Sequence, residues 1–285
     1  MNGTTAPSEQ EIAADARWLV QAIDPQAGLA RIVAMTPEQY RAASFLDDRM
    51  LQPGLDARLV PIDLIVRSAE QVPARRTGWI FHIGHVGSTL LSRLLGEMDS
   101  VLAVREPRAL RDLALTPQGE RDKLSPPLRC LYSRAFGPAD QAVIKATSFV
   151  SELAADLVGA DGRALLLTVS PRSYIQTILA GPNSRQELRA MLSFRLDRMM
   201  ERVPGAAATT ADHDAKLAAL AWACEMTSLE QTAERLLPEQ VRWADFDLFL
   251  EDSAAELSRI ADFFEIDAPA ARLAPLLAGP LMRRY

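Results

Sequence analysis

The segment 84–89, GHVGST, holds the residue types best suited to binding an anion. It follows a short apolar run rich in β-branched and aromatic residues, WIFHI, and precedes the helical run LLSRLLGEM. That order predicts a strand, a tight loop and a helix. The first turn of a helix offers unpaired N–H groups and the positive end of the helix dipole, and glycines let the backbone close around an oxyanion. The pattern predicts an anion-binding loop, with an ordinary helix cap as the alternative.

The spacing of this loop differs from that of the nucleotide-triphosphatase motif GxxxxGK[ST]. The two glycines stand closer together, and no lysine precedes Ser88. That lysine contacts the β- and γ-phosphates of the nucleotide in the motif. The difference weakens an assignment to ATP or GTP hydrolysis.

Further apolar runs predict the sheet that would hold this loop. Strand-sized runs cover Val101–Val104, Ala142–Ile144, Ala164–Val169 and Val241–Trp243, each followed by polar or helical sequence. Strands that alternate with helices predict a parallel sheet with helices on its faces, the α/β class. The helical runs KLAALAWACEMTSLEQTAERLL and DSAAELSRIADFFEI are expected to cover those faces. The stretch 206–216 predicts a loop or a helix entry.

The first seventy residues predict helices instead. In EIAADARWLVQAI, apolar residues recur at helical spacing from Ile12 to Ile23, and Asp24 and Pro25 would end the helix. We expect a mainly helical extension over residues 1–74, packed on an α/β domain over residues 75–285. No chemical motif is found in this extension.

Composition limits the classes of partner. The chain has 285 residues, 48% of them hydrophobic, and a formal net charge of −6, the wrong sign for neutralising the phosphates of a nucleic acid. Its two cysteines, Cys130 and Cys224, lack the spacing of a zinc site or a disulfide framework. No apolar run reaches 18 residues, and the start lacks the pattern of a secretion signal. We expect a cytoplasmic protein with no nucleic-acid or membrane partner; the oligomeric state is left open.

Five segments, in order, resemble the sulfotransferase family. The loop segment FHIGHVGSTLLSRLL is similar to the family's phosphosulfate loop, a strand followed by (K/R)SGTT and a helix beginning LLxxLL. The other four are REP at 105–107, Lys145, LLLTVSPRSYIQTIL, and the closing stretch VRWADFDLFLEDSAAELSRIADFFEI. Together they span roughly residues 79–266. The resemblance implies a three-layer, P-loop-like parallel sheet flanked by helices.

The resemblance also implies an activity. A member of this family binds 3′-phosphoadenosine 5′-phosphosulfate (PAPS) and moves its sulfuryl group to a hydroxyl or amine, here of a small molecule or peptide, without a metal. The residues implied to bind PAPS are Gly84, His85, Val86, Gly87, Ser88, Thr89, Ser170, Arg172 and Thr177.

The implied catalytic residues are Glu106, Lys145 and His85. Glu106 stands where some members carry the base that takes the acceptor's proton, and an ion pair with Arg105, Arg108 or Arg111 is the alternative. Lys145 would offset charge on the leaving phosphate, unless it is a solvated strand end. His85 replaces the family's lysine or arginine and would be a pH-dependent counter-charge. Arg108 or Arg111 would orient an anionic acceptor.

The fourth segment departs most from the family pattern. Where members carry an arginine just before the proline, this chain has Ser170; Arg172 is displaced by two positions, and Thr177 is the nearest hydroxyl to the expected serine. Either Arg172 reaches the 3′-phosphate from a shifted turn, or the protein uses another anionic donor or none. Downstream, Arg185, Arg189 and Arg195 predict either a basic stripe or a solvated helix face.

Two other functions remain open at this point. One is a kinase of a small molecule or peptide that uses the same loop for a nucleotide, although the missing loop lysine argues against it. The other is a non-catalytic nucleotide-binding or interaction module, which His85 and Ser170 at usually basic positions would favour.

Overall fold

The computed structural model describes residues 6–137, 140–203 and 213–284. Most of the stretch 206–216, predicted as a loop or helix entry, lies outside these residues; its last part belongs to a helix that begins at Asp214.

The N-terminal part combines short helices with a three-stranded antiparallel sheet in the order β1-β2-β3. Its elements are α1 (Glu9–Ala14), β1 (Trp18–Asp24), β2 (Leu29–Ala34), α2 (Pro37–Ala42), a 3-10 turn (Asp48–Met50), β3 (Ala57–Pro61) and α3 (Ile62–Ala69).

The predicted helix through Ile23 is therefore wrong, and so is the largely helical character of the extension. Helix α1 ends at Ala14, and the backbone of Asp15 is extended. The first six residues of β1 are all buried, on both faces of the strand. A short apolar run that is buried all round has no diagnostic period, so β-branched and aromatic residues pairing with β2 decide its conformation.

The second sheet confirms the predicted parallel architecture. It has five strands in the order β5-β6-β4-β7-β8, and all four neighbouring pairs are parallel. Its strands are β4 (Thr77–His82), β5 (Val101–Arg105), β6 (Gln141–Lys145), β7 (Gly162–Thr168) and β8 (Val241–Asp245). Each predicted strand coincides with an observed one, with bounds that differ by a few residues at most. The carboxyl ends of β4, β5 and β6 thus lie side by side.

Helices connect the strands and flank the sheet. They are α4 (Ser88–Leu95), α5 (Arg108–Ala114), α6 (Gln118–Tyr132), α7 (Ala154–Val158), α8 (Pro171–Ala180), α9 (Pro182–Ala190), α10 (Leu192–Arg202), α11 (Asp214–Arg235), α12 (Phe246–Glu251), α13 (Ser253–Phe264) and α14 (Ala270–Leu277). Further 3-10 turns cover Ser148–Leu153, Pro238–Gln240 and Met282–Arg284. The described residues contain no helix long and apolar enough to cross a membrane.

The N-terminal part packs on the parallel-sheet domain, as expected. Buried side chains of both parts form one continuous hydrophobic core. Polar groups also join them: the Tyr132 hydroxyl donates to the Val20 carbonyl at 2.7 Å, and Arg134 donates to the Trp18 carbonyl at 2.8 Å. From the end of β5, Arg105 donates to the Tyr40 carbonyl at 2.8 Å. The Arg105 contact, together with Leu46 N–H donating to the Arg105 carbonyl at 2.7 Å, holds residues 40–46 near the carboxyl end of β5.

Candidate active site

The loop between β4 and α4 has an unusual backbone. Gly84, His85 and Gly87 have φ angles of 85°, 53° and 68°. At Gly87, the residue just before α4, a Cβ atom would lie 1.9 Å from the Phe246 ring. Only glycine fits there, because both the left-handed conformation and the close ring exclude a side chain. His85 adopts a conformation that is costly for a residue with a side chain, a kind of strain that clusters at binding sites.

The amide groups of this loop remain largely unpaired. Gly84 N–H donates to His82 Nδ1 at 3.0 Å. Within the described residues, no protein acceptor is found for the N–H groups of residues 85–89, and the helical ladder begins with Leu91 N–H donating to the Gly87 carbonyl at 3.0 Å. The six loop residues line a cavity of about 910 Å³. Unpaired amides at a helix start beside a cavity are the arrangement that binds oxyanions.

Lys145 and Glu106 meet beside this loop because neighbouring parallel strands end there. Lys145 ends β6 and Glu106 follows β5, with Glu106 N–H donating to the Lys145 carbonyl at 2.8 Å. Lys145 Nζ donates to Thr89 Oγ1 at 3.0 Å and to Glu106 Oε1. The two side chains are 2% and 12% exposed. Burial lowers the pKa of Lys145, and the Glu106 carboxylate partly offsets that effect. Lys145 is therefore a buried cavity residue rather than a solvated strand end.

The predicted ion pairs of Glu106 with Arg105, Arg108 or Arg111 are wrong, because each of these arginines contacts other groups. Arg105 is buried and donates to main-chain carbonyls of residues 40–43. Arg108 is held by the carboxylates of Asp48 and Asp112. Arg111 places its guanidinium over the Phe149 ring at 5.4 Å and makes no ion pair in the described part of the chain. Besides Lys145, the basic side chain nearest Glu106 is Arg49, with Nη2 at 3.6 Å from Oε2.

Two histidines, His82 and His85, also line the cavity. His82 accepts from Gly84 N–H through Nδ1, and its Nε2 is 4.0 Å from Glu106 Oε1 with no hydrogen-bond partner among the described residues. Burial, and next the charge of Lys145, hold the pKa of His82 well below its usual value. Burial also lowers the pKa of His85, although Glu187 opposes the shift. His85 is therefore mainly uncharged at pH 7, and its predicted role as a counter-charge is confined to acidic solution.

The three residues predicted to hold the 3′-phosphate, Ser170, Arg172 and Thr177, do not line one site in the structure. Ser170 caps α8, accepting from Ser173 N–H at 3.2 Å, and Ser173 Oγ donates to Asp247 at 3.0 Å. Neither Ser170 nor the exposed Arg172 lines the large cavity, whereas Thr177 does. A shifted turn therefore does not bring Arg172 into this cavity.

Arg195, from α10, also lines the cavity. Its side chain is 12% exposed, and Nε lies 3.6 Å from Glu225 Oε1. Nε and Nη1 are buried and have no hydrogen-bond partner among the described residues. Of the predicted stripe, Arg189 instead pairs with Asp214 through two bonds of 2.9 Å. The stripe is thus divided, with Arg195 facing the cavity and Arg189 held in a surface ion pair.

The N-terminal part contributes residues to the cavity that the sequence did not predict. Phe45, Asp47 and Arg49 line the cavity, and Arg49 donates to the Asp47 carboxylate from Nε at 2.8 Å and from Nη2 at 2.6 Å. No local signal marks these residues, because their place depends on contacts with strands more than fifty positions away.

Comparison with known proteins gives a limited likeness. No family model and no curated protein matches the chain. Three solved structures that align with it are sulfotransferases. One is a sulfotransferase domain from the curacin biosynthetic pathway, at 13% identity and a TM-score of 0.49, covering 73% of this chain and 80% of that one.

The second is a sulfotransferase from Alicyclobacillus acidocaldarius, at 16% identity and a TM-score of 0.43, covering 68% and 83% of the two chains. The third is a mouse sulfotransferase complexed with PAP, at 11% identity and a TM-score of 0.36, covering 75% and 68%.

Proposed function

We propose that this protein is a sulfotransferase-like enzyme that moves a sulfuryl group from PAPS to a hydroxyl or amine of a small molecule or peptide. The observation that carries the proposal is the meeting of the unpaired amides of residues 85–89 with the Lys145–Glu106 pair on one cavity wall. An oxyanion cradle beside a cation and a carboxylate has the parts needed for group transfer to an acceptor that must lose a proton.

The residues fit the 5′-phosphosulfate of PAPS. The loop amides and the Ser88 and Thr89 hydroxyls supply donors, and the Lys145 ammonium supplies positive charge. Hydrogen bonds to charged groups of this kind contribute about 1.5–3 kcal/mol each. A cavity of about 910 Å³ is at the large end of the range for small-molecule sites, enough for a nucleotide together with an acceptor.

For the 3′-phosphate we favour Arg195 and Thr177 over Ser170 and Arg172. Arg195 lines the cavity together with Thr177, and the Glu225 carboxylate lies 3.6 Å from its Nε, beyond hydrogen-bond distance. A phosphate that accepts from this guanidinium would form a charge-assisted hydrogen bond, which is stronger than a neutral one.

Each side chain of the site has a separate role in the proposed transfer. When bound, PAPS supplies the sulfuryl group, whose bond to the phosphate oxygen breaks as its bond to the acceptor oxygen or nitrogen forms. Glu106 accepts the proton of the acceptor, and Lys145 donates a hydrogen bond to the leaving phosphate oxygen. His85 is mainly neutral at pH 7 and contributes hydrogen bonding rather than charge. Of the two predicted acceptor contacts, Arg111 is favoured as a hydrogen-bond donor to the acceptor, because two carboxylates hold Arg108.

Replacing Glu106 tests the proposed base. With ³⁵S-labelled PAPS and a panel of phenols, alcohols and amines, Glu106→Gln should lower kcat by about 10²–10⁴-fold, the usual contribution of a general base. The affinity for 3′-phosphoadenosine 5′-phosphate (PAP), the nucleotide that remains after transfer, is measured by calorimetry and should change only a few-fold. The matched control is Glu120→Gln, the same change at an exposed position on α6. Undiminished transfer by Glu106→Gln would remove Glu106 from the reaction.

The same assays separate the sulfotransferase from the alternatives. Transfer should persist in a chelator, since no step above needs a metal, whereas phosphoryl transfer normally requires Mg²⁺. Tighter binding of Mg²⁺-ATP than of PAP would favour a kinase. Binding of neither nucleotide would favour a non-catalytic module.

A further inference from the structure

A second cavity, of about 740 Å³, lies beside the first. It is lined by the end of β2, by α2 and by the segment 43–56. Its apolar wall includes Met35, Phe45, Met50 and Leu55. No motif of the sequence covers the residues that line this cavity.

The two cavities share a wall made of Phe45 and Arg49, which line both. The Arg49 guanidinium lies 3.5 Å from the centre of the Phe45 ring, and its Nη2 is 3.6 Å from Glu106 Oε2. Lys145 Nζ is 5.3 Å from the same ring centre. One aromatic ring and one guanidinium therefore stand between the second cavity and the Lys145–Glu106 pair.

The second cavity offers no strong counter-charge to a charged ligand. Its two charged lining residues are engaged: Arg49 with Asp47 at 2.6 Å, and Asp56 with Arg58 at 2.9 Å. Its other polar side chains are the neutral Gln39, Ser44 and Gln52. Methionine side chains adapt to irregular apolar ligands. Burying a charge here without a partner would be unfavourable, whereas burying hydrocarbon is favourable.

We propose that this second cavity binds the uncharged, apolar body of the acceptor, whose hydroxyl reaches Glu106 past Phe45 and Arg49. The inference rests on the proposed function and narrows the acceptor to a neutral hydroxyl compound with an extended hydrocarbon part. The hydroxyl proton passes to Glu106 as the acceptor oxygen bonds to sulfur and the sulfur–phosphate oxygen bond breaks.

A homologous series of ligands tests this. The full chain is titrated by calorimetry with 4-ethylphenol, 4-butylphenol and 4-hexylphenol, with and without PAP. We expect affinity to rise about two- to fourfold for each added methylene, as buried hydrocarbon predicts. Leu55→Asn, which makes the wall polar, and Ala42→Trp, which fills the cavity from an exposed position, should flatten that rise. Leu59→Asn is the matched control, since Leu59 is 67% exposed and lines neither cavity.

The outcomes separate this inference from the proposed function. Absence of alkylphenol binding, no dependence on chain length, or an unchanged dependence in Ala42→Trp would overturn the inference even if PAP binds and sulfuryl transfer occurs. An affinity that rises with alkyl chain length in a protein that does not bind PAP would support the apolar site and contradict the proposed sulfotransferase activity. Melting temperatures of the variants show whether each is folded, and Ala42→Trp decides the matter if Leu55→Asn is not.

Discussion

At the residue scale, Glu106 lies in a cluster of charges that balance locally. Lys145 contacts one carboxylate oxygen, and Arg49, itself paired with Asp47, lies 3.6 Å from the other. Because Lys145 is almost fully buried, its ammonium depends on Glu106 for a counter-charge. The proposed base therefore also has a structural task, and a loss of activity in Glu106→Gln has to be read together with the melting temperature of the variant.

His82 gives the stability of the protein a predictable pH dependence. Its pKa in the folded state is held well below 6.5 by burial, so the unfolded chain binds a proton that the folded chain refuses. The contribution of neutral His82 is complete above pH 6.5 and is lost as the pH falls below that value.

We expect the free energy of unfolding of wild type to fall between pH 7 and 5.5 by up to about 1.4 kcal/mol per pH unit from this residue. His82→Asn keeps an acceptor for Gly84 N–H and should give a flatter curve. Urea denaturation at several pH values measures both. Parallel curves for the two proteins would show that His82 does not titrate in this way.

The sequence identified some site residues and missed others for a physical reason. Lys145 and Glu106 were predictable because each stands at the carboxyl end of a buried parallel strand, and such strands end at a common edge. Arg49 and Phe45 were not, since they reach the site from a separate sheet through long-range packing. Ser170 stands where family members carry an arginine, and in the structure it caps helix α8. Sequence spacing alone does not distinguish a helix cap from a phosphate-binding serine.

At the element scale, the shape of the β4–α4 loop depends on an element from the far end of the chain. Phe246, the first residue of α12, packs where a side chain at Gly87 would stand. The loop that begins α4 is therefore held both by its own glycines and by the turn that follows β8.

A single methyl group tests that support. Gly87→Ala must adopt a φ of 68° and displace the Phe246 ring, so we expect a loss of about 1–3 kcal/mol of stability. PAP affinity should fall at least tenfold, because the loop amides shift with the backbone. Gly119→Ala, at a helical position with open space, should alter stability by less than about 1 kcal/mol and leave PAP binding unchanged. Equal effects of the two variants on PAP affinity would contradict this account of the loop.

The elements themselves were predictable to different degrees. The five parallel strands are continuous apolar runs between turn or helical signals, which is the pattern of a buried sheet. Strand β1 has the same apolar character, but only three residues separate it from α1, so the pattern merged them into one helix. Both faces of β1 are buried, so its hydrophobic pattern does not distinguish a strand from a helix.

At the scale of the whole molecule, the N-terminal part and the parallel-sheet domain share one core. Ile12, Val20 and Ile32 belong to the same buried cluster as Trp79 and Ile144. Since the N-terminal part also supplies Phe45 and Arg49 to the cavity, the site is incomplete without it.

A shared core predicts cooperative unfolding. We expect one calorimetric transition, with equal calorimetric and van't Hoff enthalpies, although the chain is longer than most two-state proteins. Tyr132→Phe, which removes the buried bond to the Val20 carbonyl, should lower stability by about 1 kcal/mol without splitting the transition. Two resolved transitions would show that residues 1–74 fold as a separate unit.

The most direct test concerns the amide groups of residues 85–89. In ¹⁵N-labelled full-length protein titrated with PAP, we predict that the amide resonances of these residues shift together. The shifts should saturate at the dissociation constant found by calorimetry, and exchange of these amide hydrogens with solvent should slow. PAP binding that leaves the five resonances unchanged, or no binding at millimolar PAP, would contradict the assignment of this loop as the oxyanion site.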